Sequence, residues 1–335
     1  MSPWGRPGLN LPAAATPQQA IELAHLAEIG GAGAIWVPDV RRDPFVLAAA
    51  AVAGSVSVGV GTAVAVAFAR SPTVTAASAW DLQSWSGGRF TLGLGTQVAA
   101  LLRARFGVQA EHPAARMAEY VTAVRACFAA YRHGYGGHRG EFYAIRRPAL
   151  DTGPDLDPPS DPPIRLAAVN PHMARVCGRV ADGLIAHPFS TPGYLEEVVR
   201  PELARGAAEA GREAPPISVQ LVVASSLEQA AMQLVPYAVP AYARVMAHLG
   251  LSGLIDEVGE LTRGGRLKSA AAILADRAAG ELGVIVARDA SELAQGLERW
   301  APVVDEVSLG VPWFGVGAAE QIQASTALAG WLAEI

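Results

Sequence analysis

The chain has 335 residues, 51% of them apolar, and a formal net charge of −5. This length suits one large domain or two small ones with a substantial core. The mild acidity, without any basic run, excludes the surface typical of nucleic-acid-binding proteins. Two cysteines are too few for a disulfide framework, and no basic start leads into an apolar export segment, so we expect a cytoplasmic protein. The most apolar stretch, 48–68, is broken by glycine and serine and is not expected to span a membrane.

Strands and helices alternate from the start of the chain. Residues 7–11 and 34–37 predict short strands, and each is followed by a helix. Thr16–Pro17 and Asp43–Pro44 mark the helix starts, because an N-cap residue followed by proline favours the first helical turn.

The stretch 56–96 predicts a strand, a crossover helix and a second strand. In 56–66 the even positions are almost all valine and the odd positions are serine, glycine or alanine, which is period two. Ser71–Pro72 starts the helix, and 89–96 repeats the asymmetry with glycine on one face. These small faces let another backbone or a flat ligand approach closely.

The alternation continues to the end of the chain with two interruptions. A helix is predicted from Pro113 to about Tyr131, and residues 133–163 predict an irregular excursion rich in proline and glycine. A domain boundary there is the competing interpretation. Residues 231–281 predict a helical insertion. Further strands are predicted at 164–169, 183–187, 217–224 and 306–311.

The count approaches eight strand–helix units, which predicts an α/β protein with a TIM-type (β/α)8 barrel and an insertion in the C-terminal part. We expect one domain over 1–335. A doubly wound sheet is the runner-up, but neither 59–64 nor 93–98 has the third glycine of the dinucleotide fingerprint. In a barrel, the active site would lie at the carboxyl ends of the strands.

Several short motifs together resemble the bacterial luciferase-like superfamily, and within it the branch that uses the deazaflavin coenzyme F420. They are GVGTAV at 59–64, ARSP at 69–72, SGGRF at 86–90 and LGLG at 92–95. The resemblance covers nearly the whole chain and implies the same barrel. It also implies a cis peptide bond between Ala63 and Val64, behind the middle ring of the coenzyme.

The resemblance implies hydride transfer between the deazaflavin and an organic substrate. The residues expected to contact the coenzyme are Asp39, Ala63, Val64, Thr96, Gln97, Ala168, Val169, Asn170, His187 and Ser190. Asp39 and His187 are the candidate catalytic residues, with His187 as proton donor. The alternatives are that Asp39 initiates a helix, that Asn170 caps one, and that His187 binds the phosphate arm or a loop carbonyl.

Two departures from the family pattern bear on the reaction. Alcohol-oxidising relatives have a histidine at the position of Val40 and a glutamate at the position of Val98, so reduction of an activated double bond or carbonyl is favoured over alcohol oxidation. Relatives often hold the phosphate with a lysine near the position of Ser190, and Arg263 or Arg266 could replace it.

Other cofactors and partners are weighed on the same basis. FMN, in a luciferase-like monooxygenase, is the alternative cofactor, and a catalytically silent relative is a further hypothesis. The expected partners are a small-molecule or peptide-borne electrophilic substrate and a second copy of the chain in a homodimer. No metal site is expected, because His133 and His138 lack further ligands at suitable spacing. Trp313 and Phe314 are candidates for a wall of the substrate pocket.

Overall fold

The computed structural model describes residues 5–148 and 158–335. Residues 149–157, which are part of the excursion predicted at 133–163, lie outside the described residues. Eight parallel strands form the centre: Gly8–Asn10 (β1), Ala34–Val37 (β2), Gly59–Thr62 (β3), Phe90–Gly95 (β4), Ile164–Ala167 (β5), Gly183–Ala186 (β6), Ile217–Ala224 (β7) and Glu306–Gly310 (β8).

These strands close into a barrel. Each pairs in parallel with the next along the chain, and β8 returns to pair with β1. A short strand, Ala65–Val66, extends β3 and also pairs with β4. The predicted TIM-type barrel is therefore confirmed.

Helices surround the barrel and begin where the sequence predicts. Thr16, Asp43 and Ser71 each accept a hydrogen bond from a backbone N–H of the first helical turn, which satisfies donors that a helix leaves unpaired. The main surrounding helices are Pro17–Ile29, Pro44–Ala53, Pro72–Trp85, Pro113–His133, Pro171–Val180, Arg200–Glu209, Ala290–Leu297 and Ala318–Trp331.

The strand predicted over 56–66 is shorter and interrupted. Val56 is 86% exposed and precedes β3, and the strand pauses after Thr62 before Ala65–Val66 resumes. The bond between Ala63 and Val64 in this pause is cis, as the resemblance implied. The regular alternation of side chains between the two faces of the strand therefore ends at Thr62.

The small residues of the central strands serve packing inside the barrel. A Cβ on Gly61 would lie 2.4 Å from the indole of Trp36, and one on Gly93 would lie 1.9 Å from the carbonyl oxygen of Thr62. Trp36 forms a small apolar cluster with Ala63 and Ile185. The room that Gly61 provides is thus taken by Trp36, whereas close backbone approach is confirmed at Gly93.

Two segments add to the barrel. A hairpin of His138–Arg139 and Ala144–Ile145 follows Pro113–His133, and Glu119 of that helix accepts hydrogen bonds from backbone N–H groups of the hairpin. Between β7 and Ala290–Leu297 lie the helices Leu227–Leu234, Ala243–His248, Leu254–Arg263 and Leu267–Arg277, and the strand Val284–Val286, which pairs with β7. Across the described ranges, no helix is both long and apolar enough to cross a membrane.

Candidate active site

A cavity of about 940 Å³ opens at the carboxyl ends of the barrel strands. This volume is near the upper end of the ~300–1,000 Å³ that small-molecule sites occupy. Residues from the ends of β1 to β8 contribute to its lining, together with the segment 96–115 and the insertion after β7. Active sites of TIM-type barrels lie at this end.

Two parts of the lining differ in chemistry. The apolar wall is the group of apolar side chains from the ends of β2 to β4 and the segment that follows β4, namely Val40, Phe68, Val98, Leu102, Ala110 and Ala114. Asp39, Thr96, Gln97 and His112 from the same parts of the chain also line the cavity. The polar wall comes from the ends of β5 to β7 and the insertion, and consists of Asn170, His187, Gln220, Tyr237, Tyr242 and Arg244.

The structure brings most of the predicted site residues together. Those that line the cavity are Asp39, Ala63, Val64, Thr96, Gln97, Val169, Asn170 and His187. Ala168 and Ser190 are buried, and neither is among the described residues that line the cavity. Trp313 lines the cavity and packs edge-to-face against Phe314, with ring centroids 5.9 Å apart.

Asp39 is held by two arginines. Its Oδ2 accepts hydrogen bonds from Arg70 at 2.9 Å and from the backbone N–H of Val66 at 3.2 Å. Its Oδ1 accepts from Arg105 at 3.0 Å. The side chain is only 2% exposed, so these bonds replace the water that a carboxylate needs.

These contacts decide what Asp39 can do. It does not initiate the neighbouring helix, because Asp43 is the residue whose carboxylate accepts from the backbone N–H groups of Phe45 and Val46. With both oxygens bound to guanidinium groups, Asp39 is poorly placed to take a proton. Its contacts instead connect the end of β2 with Ala65–Val66 and with the helix Ala99–Phe106, which the sequence did not predict.

The backbone pause in β3 forms part of the cavity floor. Ala63 and Val64 both line the cavity, and the side-chain amide of Gln220 donates a 3.1 Å hydrogen bond to the carbonyl oxygen of Ala63. Val66 also lines the cavity, although its even position placed it with the packing face of the strand. The pause turns these valines toward the cavity.

His187 is neutral and its tautomer is defined by the backbone. Nδ1 accepts a 3.0 Å hydrogen bond from the N–H of Phe189, so the ring proton is on Nε2. Burial lowers the pKa of His187 to about 3. Tyr237 and Tyr242 pack against the ring, with centroids 4.4 and 4.9 Å away. At neutral pH His187 is therefore a hydrogen-bond donor through Nε2 and not an imidazolium acid.

Asn170 connects the barrel with the insertion. It occupies the N-cap position of Pro171–Val180 but makes no capping hydrogen bond with its side chain. Its Nδ2 donates to the carbonyl oxygen of Ala241 at 3.1 Å. Capping, the alternative role considered for this residue, is thus not what its side chain does.

Several lining residues have no signal in the sequence. Asn10 lines the cavity and its Oδ1 is buried without a hydrogen-bond partner in the described structure. Gln220, Tyr237, Tyr242 and Arg244 reach the site through the long-range packing of β7 and the insertion. Of these residues, only Asn10 could have been identified as a lining residue from the sequence, because it lies near the end of the first predicted strand.

The basic groups of the insertion are placed differently from expectation. Arg244 is exposed at the cavity, whereas Arg263 and Arg266 are exposed and are not among the described lining residues. Neither Arg263 nor Arg266, the two arginines considered as replacements for the phosphate-binding lysine, is among the described lining residues. Across 5–148 and 158–335, no group of three or more residues could hold a metal ion.

Comparisons with known proteins agree with this fold. Residues 1–302 match the family model described as luciferase-like monooxygenase. An uncharacterized protein of Mycobacterium tuberculosis, Rv1360, is 34% identical over 321 residues, covering 92% of this chain and 93% of that protein. The 5,10-methylenetetrahydromethanopterin reductase of Methanolobus tindarius is 28% identical over 214 residues, 62% of each chain.

A solved structure shares the whole architecture. The coenzyme F420-dependent tetrahydromethanopterin reductase of Methanopyrus kandleri superposes with a TM-score of 0.78 over 97% of both chains, at 19% sequence identity. The family model covers most of the sequence, and the barrel, its insertion and the cavity at the strand ends are those expected from the motifs. The chain belongs to the luciferase-like monooxygenase family.

Proposed function

We propose that this protein is a coenzyme F420-dependent oxidoreductase that reduces an activated C=C or C=O bond of a small organic substrate. The observation that carries the proposal is a strand-end cavity with a polar wall suited to a coenzyme and an apolar wall without an acid–base side chain. Val40 and Val98 stand in that wall where alcohol-oxidising relatives have a histidine and a glutamate. Oxidation of an alcohol needs such a base.

The residues of the cavity fit a deazaflavin. Its ring edge carries carbonyl and N–H groups, and the chain offers a neutral donor at His187 Nε2 and an unpartnered acceptor at Asn10 Oδ1. Arg244 is a cation at the cavity for the anionic arm of the coenzyme. Ala63, Val64, Thr96, Gln97, Val169 and Asn170 are the further residues that we propose to contact the coenzyme.

When bound in its reduced form, the deazaflavin supplies a hydride from C5. The contribution of the chain is orientation and exclusion of water. Gln220 fixes the carbonyl of Ala63 on the floor, and Asp39 holds Arg70 and Arg105 away from the reacting groups. His187 can donate a hydrogen bond from Nε2, but a neutral imidazole is too weak an acid to release that proton at neutral pH. The proton that completes a reduction comes from water.

FMN is the second candidate cofactor, favoured by the description of the matched family as luciferase-like monooxygenase. A relative that binds a coenzyme without turnover is the third candidate, because the apolar wall lacks acid–base groups. The similarity to the coenzyme F420-dependent tetrahydromethanopterin reductase of Methanopyrus kandleri supports the first candidate.

The test is anaerobic titration of the purified protein with coenzyme F420 and, separately, with FMN, each followed by fluorescence. We expect F420 to bind more tightly than FMN. Arg244→Ala should weaken F420 binding roughly 10- to 100-fold, because a charge-assisted hydrogen bond contributes about 1.5–3 kcal/mol. Arg263→Ala is the matched control, since this arginine is in the same insertion but does not line the cavity. Tighter binding of FMN would favour the monooxygenase, and binding of neither would refute the proposal.

A further inference from the structure

The apolar wall has no charge of its own to offer a substrate. Its six residues carry only hydrocarbon side chains. The nearest carboxylate, Asp39, is occupied by Arg70 and Arg105, and Arg70 also pairs with Asp43 at 2.8 Å. Arg70 and Arg105 are not among the described residues that line the cavity. The positive and negative charges behind this wall therefore compensate each other.

The ionisable residues elsewhere in the described lining do not alter this conclusion. They are Asp39, His112, His172, His187, Tyr237, Tyr242 and Arg244. His112 and His172 are exposed, and Arg244, also exposed, belongs to the polar wall. Burial raises the pKa of both Tyr237 and Tyr242, so both stay neutral. Because the proposed function assigns Arg244 to the anionic arm of the coenzyme, an anionic substrate against the apolar wall would gain no arginine or lysine of its own to replace its water.

The size of the cavity leaves space for a second molecule beside a coenzyme. Its volume of about 940 Å³ lies near the upper end of the ~300–1,000 Å³ of small-molecule sites, and we place the coenzyme against the polar wall. The apolar wall then faces the second molecule. Burying an unpaired charge in such a place is far more costly than burying an apolar group.

We infer that the substrate is a neutral, apolar molecule with a C=C bond conjugated to a carbonyl group, such as an enone, and not a phosphate ester or a carboxylate. This inference rests on the proposed function. A hydride forms a new C–H bond at the β-carbon, and the π electron pair moves to the α-carbon, which takes a proton from water. The acceptor gains two electrons, and the reduced deazaflavin loses two.

A conjugated acceptor explains how the reaction proceeds without a side-chain acid. The carbonyl group already withdraws electrons from the β-carbon, so no group of the apolar wall has to polarise the double bond. The wall orients the acceptor and excludes bulk water from the face that receives the hydride.

The experiment compares the 4-carboxamide and the 4-carboxylate derivatives of benzylideneacetone, which have nearly the same size and shape and differ in charge. With the protein and reduced F420 under anaerobic conditions, we expect kcat/KM for the neutral enone to be about 100-fold higher, because the carboxylate loses water without gaining a partner. Both compounds are also titrated into the coenzyme-free protein, where the neutral compound should bind at least roughly tenfold more tightly.

A pair of variants places the effect at the apolar wall. Val98→Lys introduces a cation there and should reverse the preference toward the carboxylate, whereas Val74→Lys, on the exposed face of Pro72–Trp85, should leave it unchanged. Val40→Lys is the second variant if Val98→Lys does not fold.

The outcomes separate this inference from the proposed function. F420 binding with no reduction of the enone, or with equal use of both compounds, would overturn the inference and leave F420 use intact. Equal binding of both compounds to the coenzyme-free protein would overturn the neutral-substrate claim, whichever coenzyme binds. Failure of F420 to bind would refute the proposed function itself.

Discussion

The two walls of the cavity limit charge in different ways. Behind the apolar wall, charged groups are paired with one another, since Asp39 is bound by Arg70 and Arg105. On the polar wall Arg244 is a cation, but His187, Tyr237 and Tyr242 are uncharged, since burial lowers the pKa of His187 and raises those of Tyr237 and Tyr242. Charges are paired behind the apolar wall, whereas burial keeps the histidine and the two tyrosines of the polar wall in their uncharged forms.

The difference indicates which wall depends on pH and which on side-chain identity. The support of the apolar wall consists of ion pairs, which are broken when a partner is removed. A buried neutral histidine is sensitive to mild acid, because protonation would place an uncompensated charge among aromatic rings. Substitutions and pH should therefore act separately on the two walls.

The largest expected effect comes from removing the charge of Asp39. Asp39→Asn leaves Arg70 and Arg105 without their buried partner, and we expect a loss of about 3 kcal/mol in the free energy of unfolding, measured by urea denaturation. This is the lower end of the range for buried pairs, because Arg105 is 34% exposed.

Asp43→Asn is the matched control for this substitution. Asp43 pairs with the same Arg70, but its side chain is 47% exposed and asparagine keeps the helix cap. We expect a loss of no more than about 1 kcal/mol. Equal losses for the two variants would show that the support of the apolar wall does not depend on charge compensation.

The sequence predicts the strands that carry the apolar wall better than the contacts that build the polar wall, for a physical reason. The strands and helices from β1 to β4 follow from local signals, namely strand periodicity and the caps at Asp43 and Ser71. Motifs within 59–98 then place Ala63, Val64 and Thr96 at the strand ends. The polar wall depends on contacts between distant parts of the chain, such as that of Gln220 with Ala63, 157 positions apart.

Local patterns also fail where the backbone departs from regular geometry. Period two predicted an unbroken strand to Val66, but the strand is interrupted at 63–64, and Val66 lines the cavity although it was not among the predicted site residues. The helix Ala99–Phe106 was missed because it has neither a side-chain N-cap nor a clear apolar stripe, and Leu102 is its single buried residue. The ion pairs of Asp39 join three separate segments, and no sequence pattern marks them.

The second effect concerns the polar wall and its dependence on pH. The folded-state pKa of His187 is about 3, below the ~6.5 of an unfolded chain, so the unfolded state binds a proton first as pH falls. The contribution of neutral His187 is complete above about pH 6.5 and is lost as pH falls from there toward 3. Between pH 7.5 and 5, wild type should lose about 2 kcal/mol more than His187→Gln.

Urea denaturation of both proteins at the two pH values measures this difference. Carboxylates titrate alike in the two proteins and cancel in the comparison. Asp39→Asn should show the same pH dependence as wild type over this interval, because it leaves His187 and its aromatic neighbours unchanged. A His187→Gln variant with the full wild-type slope would place the acid sensitivity elsewhere.

The smallest effect tests how the polar wall is attached to the barrel. Asn170→Ala removes the hydrogen bond to the carbonyl oxygen of Ala241, which contributes about 0.5–1.5 kcal/mol. Amide hydrogen exchange in residues 238–248 should accelerate roughly two- to tenfold, because the insertion opens locally more often.

Ser71→Ala is the control, since Ser71 occupies the N-cap position of the helix between β3 and β4 and does cap that helix through Val74. It should destabilise Pro72–Trp85 by about 1 kcal/mol without changing exchange in 238–248. If both variants changed exchange there equally, the two walls would open as one cooperative unit. Acceleration in Asn170→Ala alone would establish that the polar wall opens independently of the strands that support the apolar wall.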